Sequence, residues 1–240
     1  MPSDDVKSVG SLFLYSEEMG WFDFGSDHPF KPERAAKTYD LCNRYGVLNH
    51  HWMKVVEPKP IDPSLLSLFH EQDYLVLLEE AGKGKVRVEM LAHGLGTSDN
   101  PILPGIYQWS LLAAGATQEG MNSLLNREAT VAFNPVGGFH HAMPGNAEGF
   151  CYLNDIAVAI HHALKTSPEE KIVYLDLDAH HGNGVQHAFY GDPRVLVISV
   201  HETGRTLYPW SGSETEMGDG DGEGFTMNVP LEPGSDDEVH

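Results

Sequence analysis

Cysteine is almost missing from this chain. Two residues, Cys42 and Cys151, stand among 240, which excludes a disulfide framework and a zinc site built on several thiolates. Basic residues are also scarce. Fifteen Lys and Arg against 35 Asp and Glu give a net charge of −20 with histidine neutral. Phosphate backbones are bound by basic faces, so nucleic acid is excluded as the expected partner. Simple solubility accounts for such a charge, and its field also suits a cationic substrate. No long uninterrupted apolar run occurs and mean hydropathy is −0.29, so no membrane span and no membrane partner are expected. The opening Met1-Pro2-Ser3-Asp4-Asp5 is acidic where a signal peptide carries basic residues. A soluble cytoplasmic protein is expected.

What is present points to a folded enzyme-sized domain. Hydrophobic residues make up 41% and aromatics 10%, unlike a disordered chain. The length fits one large domain or two small ones. No repeat and no long linker appear, so residues 1–240 are read as a single domain. Fourteen histidines beside two cysteines leave room for a site of mixed histidine and carboxylate ligands.

Short apolar runs alternate with helical stretches. Strands are expected at Ser11–Tyr15, Met53–Val56, Thr130–Phe133 (short and buried), Lys171–Asp178 and Val195–His201. Helices are expected at Pro32–Tyr45, Pro63–Phe69, Asp73–Ala81, Gly105–Leu125, Phe150–Leu164 and Gly184–Tyr190, with a long loop over Gly82–Pro104. Such alternation implies an α/β fold, a mainly parallel sheet covered by helices on both faces. In such sheets ligands sit beyond the carboxyl ends of the strands.

Two segments carry chemistry. In Tyr174-Leu175-Asp176-Leu177-Asp178-Ala179-His180-His181-Gly182-Asn183-Gly184 two acids end an apolar strand, where aspartate is a poor strand former. In an extended chain Asp176, Asp178 and His180 share one face. Carboxylate with imidazole suits a divalent metal such as zinc or iron; the plainer alternative is a turn in which Asp and Asn cap the next helix. The second is Asn134-Pro135-Val136-Gly137-Gly138-Phe139-His140-His141-Ala142-Met143-Pro144-Gly145. Adjacent histidines in a glycine-rich loop suit general acid–base work, against the alternative of a surface loop with incidental histidines. The pair His50-His51 has no glycines or acids nearby and His161-His162 sits mid-helix, so both read as structural, and Cys151 as a small buried hydrophobe. The alternating Gly218–Gly224 run is too acidic for a phosphate loop. It also lacks the closing Glu of a calcium loop, Pro230 standing in that place.

Taken in order, Asp27-His28-Pro29-Phe30-Lys31-Pro32-x-Arg34, Gly137-Gly138-x-His140-His141, Gly149-Phe150-Cys151, Asp176-x-Asp178-x-His180-His181-Gly182 and Asn228-Val229-Pro230-Leu231 resemble the histone deacetylase family. Its fold is the three-layer α/β/α arginase-deacetylase type. The opening motif and Gly94-Leu95-Gly96-Thr97-x-Asp99-Asn100-Pro101 look most like its bacterial acetoin-utilisation branch. The resemblance implies a zinc-dependent amide hydrolase acting on acetyl-lysine in a protein or peptide, or on an acetylated small amine. Iron in cells is an alternative to zinc. Asp178 and His180 would be two of three zinc ligands, His140 the buried partner of Asp176, and His141 the general base and acid, paired with Asn183. Gly149, Phe150 and Tyr208 would bound the acyl-lysine channel, Asp99 would grip the substrate backbone, and Arg34 would match an interior channel arginine. A structural potassium ion is implied near Asp176, Asp178, His180 and Ser199.

Many relatives carry Asp at the place of Asn183. The family's third zinc ligand and transition-state tyrosine lie beyond His240, so the resemblance implies a domain truncated at its C-terminus. The alternative class is a non-catalytic binder of acyl-lysine or metal on the same fold. A two-metal ureohydrolase would need carboxylates that this single cluster does not supply.

Overall fold

A computed structural model describes residues 10–236. The acidic start Met1–Asp5 and the end Asp237–His240 lie outside the described residues. In chain order the elements are β1 (Gly10–Leu14), α1 (Glu17–Gly20), α2 (Glu33–Arg44), β2 (Met53–Val56), α3 (Gln72–Gly82), α4 (Ile106–Leu125), β3 (Ala129–Phe133), α5 (Asp155–Thr166), β4 (Ile172–Asp176), α6 (Asn183–Phe189), β5 (Val195–Glu202) and β6 (Thr226–Leu231). They fall into two compact units, one ending at Ala163 and one starting at Leu164. Every strand pair is parallel, the expected α/β pattern. Among the described residues, no helix is long and apolar enough to cross a membrane.

In the first unit the strand order is β2-β1-β3. α4 packs on β1 and β3, with Ile106, Trp109, Leu112, Ala113 and Ala116 in the core. Its small residues have a steric reason: a Cβ on Gly115 would lie 1.9 Å from the carbonyl oxygen of Lys59. Tyr74 of α3 is fully buried and its hydroxyl donates to the carbonyl of Tyr152 at 2.6 Å, which satisfies a polar group that burial would otherwise leave unpaired.

Four expectations for this unit need correction. β3 is not buried. Ala129 is, but Val131 and Phe133 are 54% and 46% exposed. Pro63–Leu68 is a 3₁₀ helix rather than an α-helix. The Asp62 side chain caps it by accepting from Ser64 N–H at 2.9 Å, and one short turn does not propagate further. The stretch Gly82–Pro104 contains another 3₁₀ turn, Val88–His93, closed by Gly94 at φ 71°. The helix expected from Phe150 begins only at Asp155. Phe150 sits in the left-handed region at φ 70°, and Asn154 provides the cap, its Oδ1 accepting from Ala157 N–H at 2.9 Å.

The second unit holds the ladder β4-β5-β6, with α6 packed on β5. Its covered face is polar as well as apolar, for Val195 and Val197 are also buried there. Asp176, Ser199, His201, Thr226 and Asn228 are buried, whereas Val173, Leu175 and Met227 are more than half exposed. β4 ends at Asp176, two residues before the expected end. Asp178 and His180 therefore lie in the bend beyond it, not on a shared strand face. β6 escaped the sequence reading because Asn228 and Pro230 are poor strand residues; Pro230 pairs opposite His201 on the outer strand of this ladder.

Candidate active site

The loop after β3 carries the His140–His141 pair. Both residues are buried, their ring centroids 4.0 Å apart and their Nε2 atoms 3.1 Å apart. At that separation one Nε2 donates and the other accepts. The loop lacks regular structure, so its backbone groups need side-chain partners, and it has them. The Asp155 carboxylate accepts from Gly138 N–H at 3.1 Å and Phe139 N–H at 2.8 Å, and from the Thr117 hydroxyl at 2.5 Å. A Cβ on Gly137 would come within 2.5 Å of Asp155 Oδ2, so glycine is required at that approach. Burial pushes the Asp155 carboxyl above its ordinary range, against the pull of those donors.

Downstream, Asn154 Nδ2 donates to Ala142 O at 3.0 Å. His70 Nδ1 donates to Pro144 O at 3.3 Å, and its Nε2 accepts from Asn154 N–H at 3.0 Å. Burial holds His70 neutral, its pKa lowered to about 4. His93 Nδ1 donates to Gly145 O at 2.6 Å. The sequence reading assigned no role to His70, Asn154 or Asp155. The pair Asn154-Asp155 just before an apolar run was a helix-start signal that would have exposed the last two.

A cluster of rings borders this unit's loops. His28 Nε2 donates to Asp99 O at 3.0 Å, its Nδ1 accepts from Phe30 N–H at 3.1 Å, and its ring meets the Phe150 ring edge-on at 4.9 Å. Asp99 and Phe150 are thus brought together through His28. Gly149, at φ 51°, precedes Phe150 in the same turn. Arg34 lies over the Phe30 ring at 5.0 Å, yet it is exposed rather than interior, because it occupies the open first turn of α2. Cys151 is buried, as expected of a small hydrophobe. His50 stacks on Trp52 and His161 on Phe69, while His162 Nδ1 accepts from Gln118 at 2.9 Å; packing accounts for these histidines.

In the second unit, the bend after β4 is built on carboxylate turns. Asp176 Oδ1 accepts from Asp178 N–H at 3.0 Å, Asp176 Oδ2 from the Tyr174 hydroxyl at 2.5 Å, and Asp178 Oδ1 from His180 N–H at 2.8 Å. His180 Nδ1 stands 2.9 Å from Asp178 Oδ1, and both side chains are about half exposed. The Tyr208 ring faces His180 edge-on at 6.4 Å. Asn183 opens α6, but the N-cap is Gly182 with no side-chain cap, so Asn183 does not play the capping role.

Behind the bend lies a buried polar network. His181 bonds the Ser211 hydroxyl through Nδ1 at 2.8 Å and Gln186 Oε1 through Nε2 at 2.9 Å; burial lowers its pKa. Gln186 Nε2 donates to Glu216 at 2.6 Å, and Asn228 donates to Gln186 Oε1 at 2.8 Å. Ser199 stands opposite Asp176 in the ladder. His201 Nε2 donates to Gly212 O at 2.9 Å, so its Nδ1 accepts from the Ser199 hydroxyl at 2.8 Å. Asp178 and His180 offer oxygen and nitrogen donors of the kind zinc takes. Among the described residues, no group of three or more His, Cys, Asp or Glu forms a metal-ligand cluster.

Residues 28–240 match the model of the histone deacetylase domain. The chain is 38% identical over 229 residues to the acetoin utilization protein AcuC of Bacillus subtilis (strain 168), covering 95% of this chain and 58% of that protein. It is 37% identical over 232 residues to histone deacetylase 19 of Arabidopsis thaliana, covering 95% and 45%. Among solved structures, an HDAC homologue from Aquifex aeolicus superposes with a TM-score of 0.87 at 33% identity, over 95% of this chain and 61% of that one. An HDAC homologue complexed with SAHA gives 0.86 at 32%, over 96% and 61%. The chain therefore spans about half to three-fifths of the length of these relatives, and its fold is the arginase-deacetylase type.

Proposed function

The chain belongs to the histone deacetylase domain family, and on that footing we propose that residues 1–240 are part of one catalytic domain of a metal-dependent deacetylase. It hydrolyses the acetyl amide of acetyl-lysine, or of an acetylated small amine, to acetate and the free amine. The observation that carries this reading is the His140–His141 pair, two imidazoles buried with their Nε2 atoms 3.1 Å apart on a fully braced loop. His141 takes the proton of the attacking water and returns it to the leaving amine. His140 fixes the tautomer of His141 through the shared proton. The family resemblance assigns Asp176 as the partner of His140 and Asn183 as that of His141.

Asp178 and His180 hold the metal, zinc or in cells iron. When bound, the metal polarises the amide carbonyl and brings the pKa of its water toward neutrality. By the family resemblance Gly149 and Phe150 would bound the acyl-lysine stem, a role also assigned to Tyr208, and Asp99 would grip the substrate backbone; Arg34, exposed on α2, is not kept in the channel. A potassium ion would be held near Asp176 and Ser199, which stand opposite each other in the ladder. The strong negative charge favours a cationic amine product and disfavours nucleic acid, and a cytoplasmic location accords with two unpaired cysteines.

The test is acetate release from an acetyl-lysine peptide by the zinc-supplemented protein in a form that also carries the family's third ligand and tyrosine. Turnover that disappears in His141→Ala supports the reading; turnover that survives refutes it. A second reading, a non-catalytic acyl-lysine or metal binder, is favoured by the two-donor count at Asp178 and His180. It predicts peptide or zinc binding with no acetate released.

A further inference from the structure

The loop Gly137–Gly145 has no ladder and no helix to hold it, yet it carries two buried histidines whose usefulness depends on sub-ångström placement. Its anchors come from two consecutive residues. Asp155 draws in the N–H groups of Gly138 and Phe139 on the upstream side of the pair. Asn154 gives its Nδ2 to Ala142 O on the downstream side, and its own N–H reaches Pro144 through His70. Asn154 and Asp155 are 0% and 1% exposed. They are adjacent in the chain and fixed to the first turn of α5, so the two sides of the histidine pair are held at a constant separation.

Resting on the reading of His141 as the base, we infer that Asn154 and Asp155 are positioning residues that bracket the His140–His141 pair. The competing role is helix capping alone. Asn154 Oδ1 does cap α5, but a cap needs only that oxygen, and the bond from Nδ2 to Ala142 O adds nothing to the helix. Asp155 likewise spends its oxygens on loop amides and on Thr117. Serine caps a helix as well as asparagine, so Asn154→Ser removes the loop bond and keeps the cap.

The experiment measures kcat and KM on acetyl-lysine peptide for the zinc-loaded protein, in a form that also carries the family's third ligand and tyrosine, and for its Asn154→Ser, Asp155→Ala, Asp155→Asn and His141→Ala variants. Gln118→Ala serves as a control at a buried polar group of α4 that bonds His162 and Asn122. Thermal unfolding checks the fold of each, and amide exchange is read at Gly138 and Phe139. Misplacing a catalytic group by about 1 Å costs up to roughly 100-fold. Asn154→Ser and Asp155→Ala should therefore lower kcat roughly 10- to 100-fold, with KM held within about twofold. Asp155→Asn keeps one acceptor for the loop amides and can turn its amide to Thr117 Oγ1, so it should recover most of the loss. Exchange at Gly138 and Phe139 should quicken in Asp155→Ala.

Unchanged kcat in folded Asn154→Ser and Asp155→Ala, with wild-type amide protection, would overturn the positioning role. So would a rise in KM alone, or an equal loss in Gln118→Ala. If Asp155→Ala does not fold, Asn154→Ser carries the comparison, with kcat and amide protection read together. Full turnover in His141→Ala would instead remove the base itself, and the bracketing of a base with it; this outcome is distinct from loss in His141→Ala beside intact pair variants, which sinks the bracket alone.

Discussion

Four His-His dipeptides occur in this chain, and two of them follow parallel strands, His140-His141 after β3 and His180-His181 after β4. The same two letters yield different sites. In the first, both rings are buried and touch each other, and four backbone groups around them are held by Asp155, Asn154 and His70. In the second the residues part company. His181 turns into a buried network with Gln186 and Ser211, while His180 stays half exposed beside Asp178. The difference teaches that the same dipeptide is shaped by what holds its backbone: side chains of distant residues in the first case, a short carboxylate turn in the second.

The largest expected effect lies in the braced pair. His141→Ala should lower kcat on acetyl-lysine peptide by roughly 10²–10⁴. His161→Ala and His162→Ala, whose rings serve packing and a bond to Gln118, should leave kcat close to wild type in folded protein. Comparable losses in all three would erase the distinction between a braced pair and an incidental one.

A middle-sized effect follows from how the brace is made. His70 is buried and neutral, its pKa lowered from 6.5 to about 4 by desolvation. The unfolded chain takes up a proton near 6.5 that the folded chain refuses until about 4. The stability from the neutral ring is complete above the unfolded value and is lost as pH falls toward the folded one. Linkage puts this loss at about 2 kcal/mol between pH 7 and pH 5. Urea unfolding at both pH values, in wild type and in His70→Gln, isolates it. The variant should lose less stability on acidification, and equal acid sensitivity would show that the His140–His141 loop is not braced through a neutral His70.

Much of this was legible in the sequence, for particular reasons. β1, β2 and β5, with α2, α3, α4 and α6, follow from apolar period and caps, and their observed limits lie within about a residue or two, the usual uncertainty of element ends. Sequence pattern could not reveal how β3 and the β4 sheet face solvent, because alternation does not say which face is covered. The ladder of the second unit buries Asp176, Ser199 and His201 beside Val195 and Val197 while Val173 and Leu175 stay exposed, so apolar cannot be equated with buried there. In the site, the motif residues stand out because Asp and His are costly near strand ends. Their supports, His70 and Asn154-Asp155, look like ordinary loop and cap residues until long-range hydrogen bonds connect them across 12 to 84 positions.

The smallest expected effect on stability lies at the open pair. Asp178 and His180 form a turn by a hydrogen bond from His180 N–H to Asp178 Oδ1 at 2.8 Å, with both side chains about half in water. Water replaces such a bond at little cost, so Asp178→Ala and His180→Ala should each leave the metal-free protein within about 0.5 kcal/mol of wild type in urea unfolding. Zinc binding should respond very differently. Removing an outer-shell partner costs roughly 10–100-fold in metal affinity, and removing a ligand should cost more, as read by competition with a chromogenic chelator. Stability and affinity are thus expected to separate at this turn, whereas at the braced loop a single substitution such as Asp155→Ala moves stability and rate together. A large stability loss in Asp178→Ala would mean that the exposed turn is braced after all. Unchanged zinc affinity in both variants would remove Asp178 and His180 as ligands.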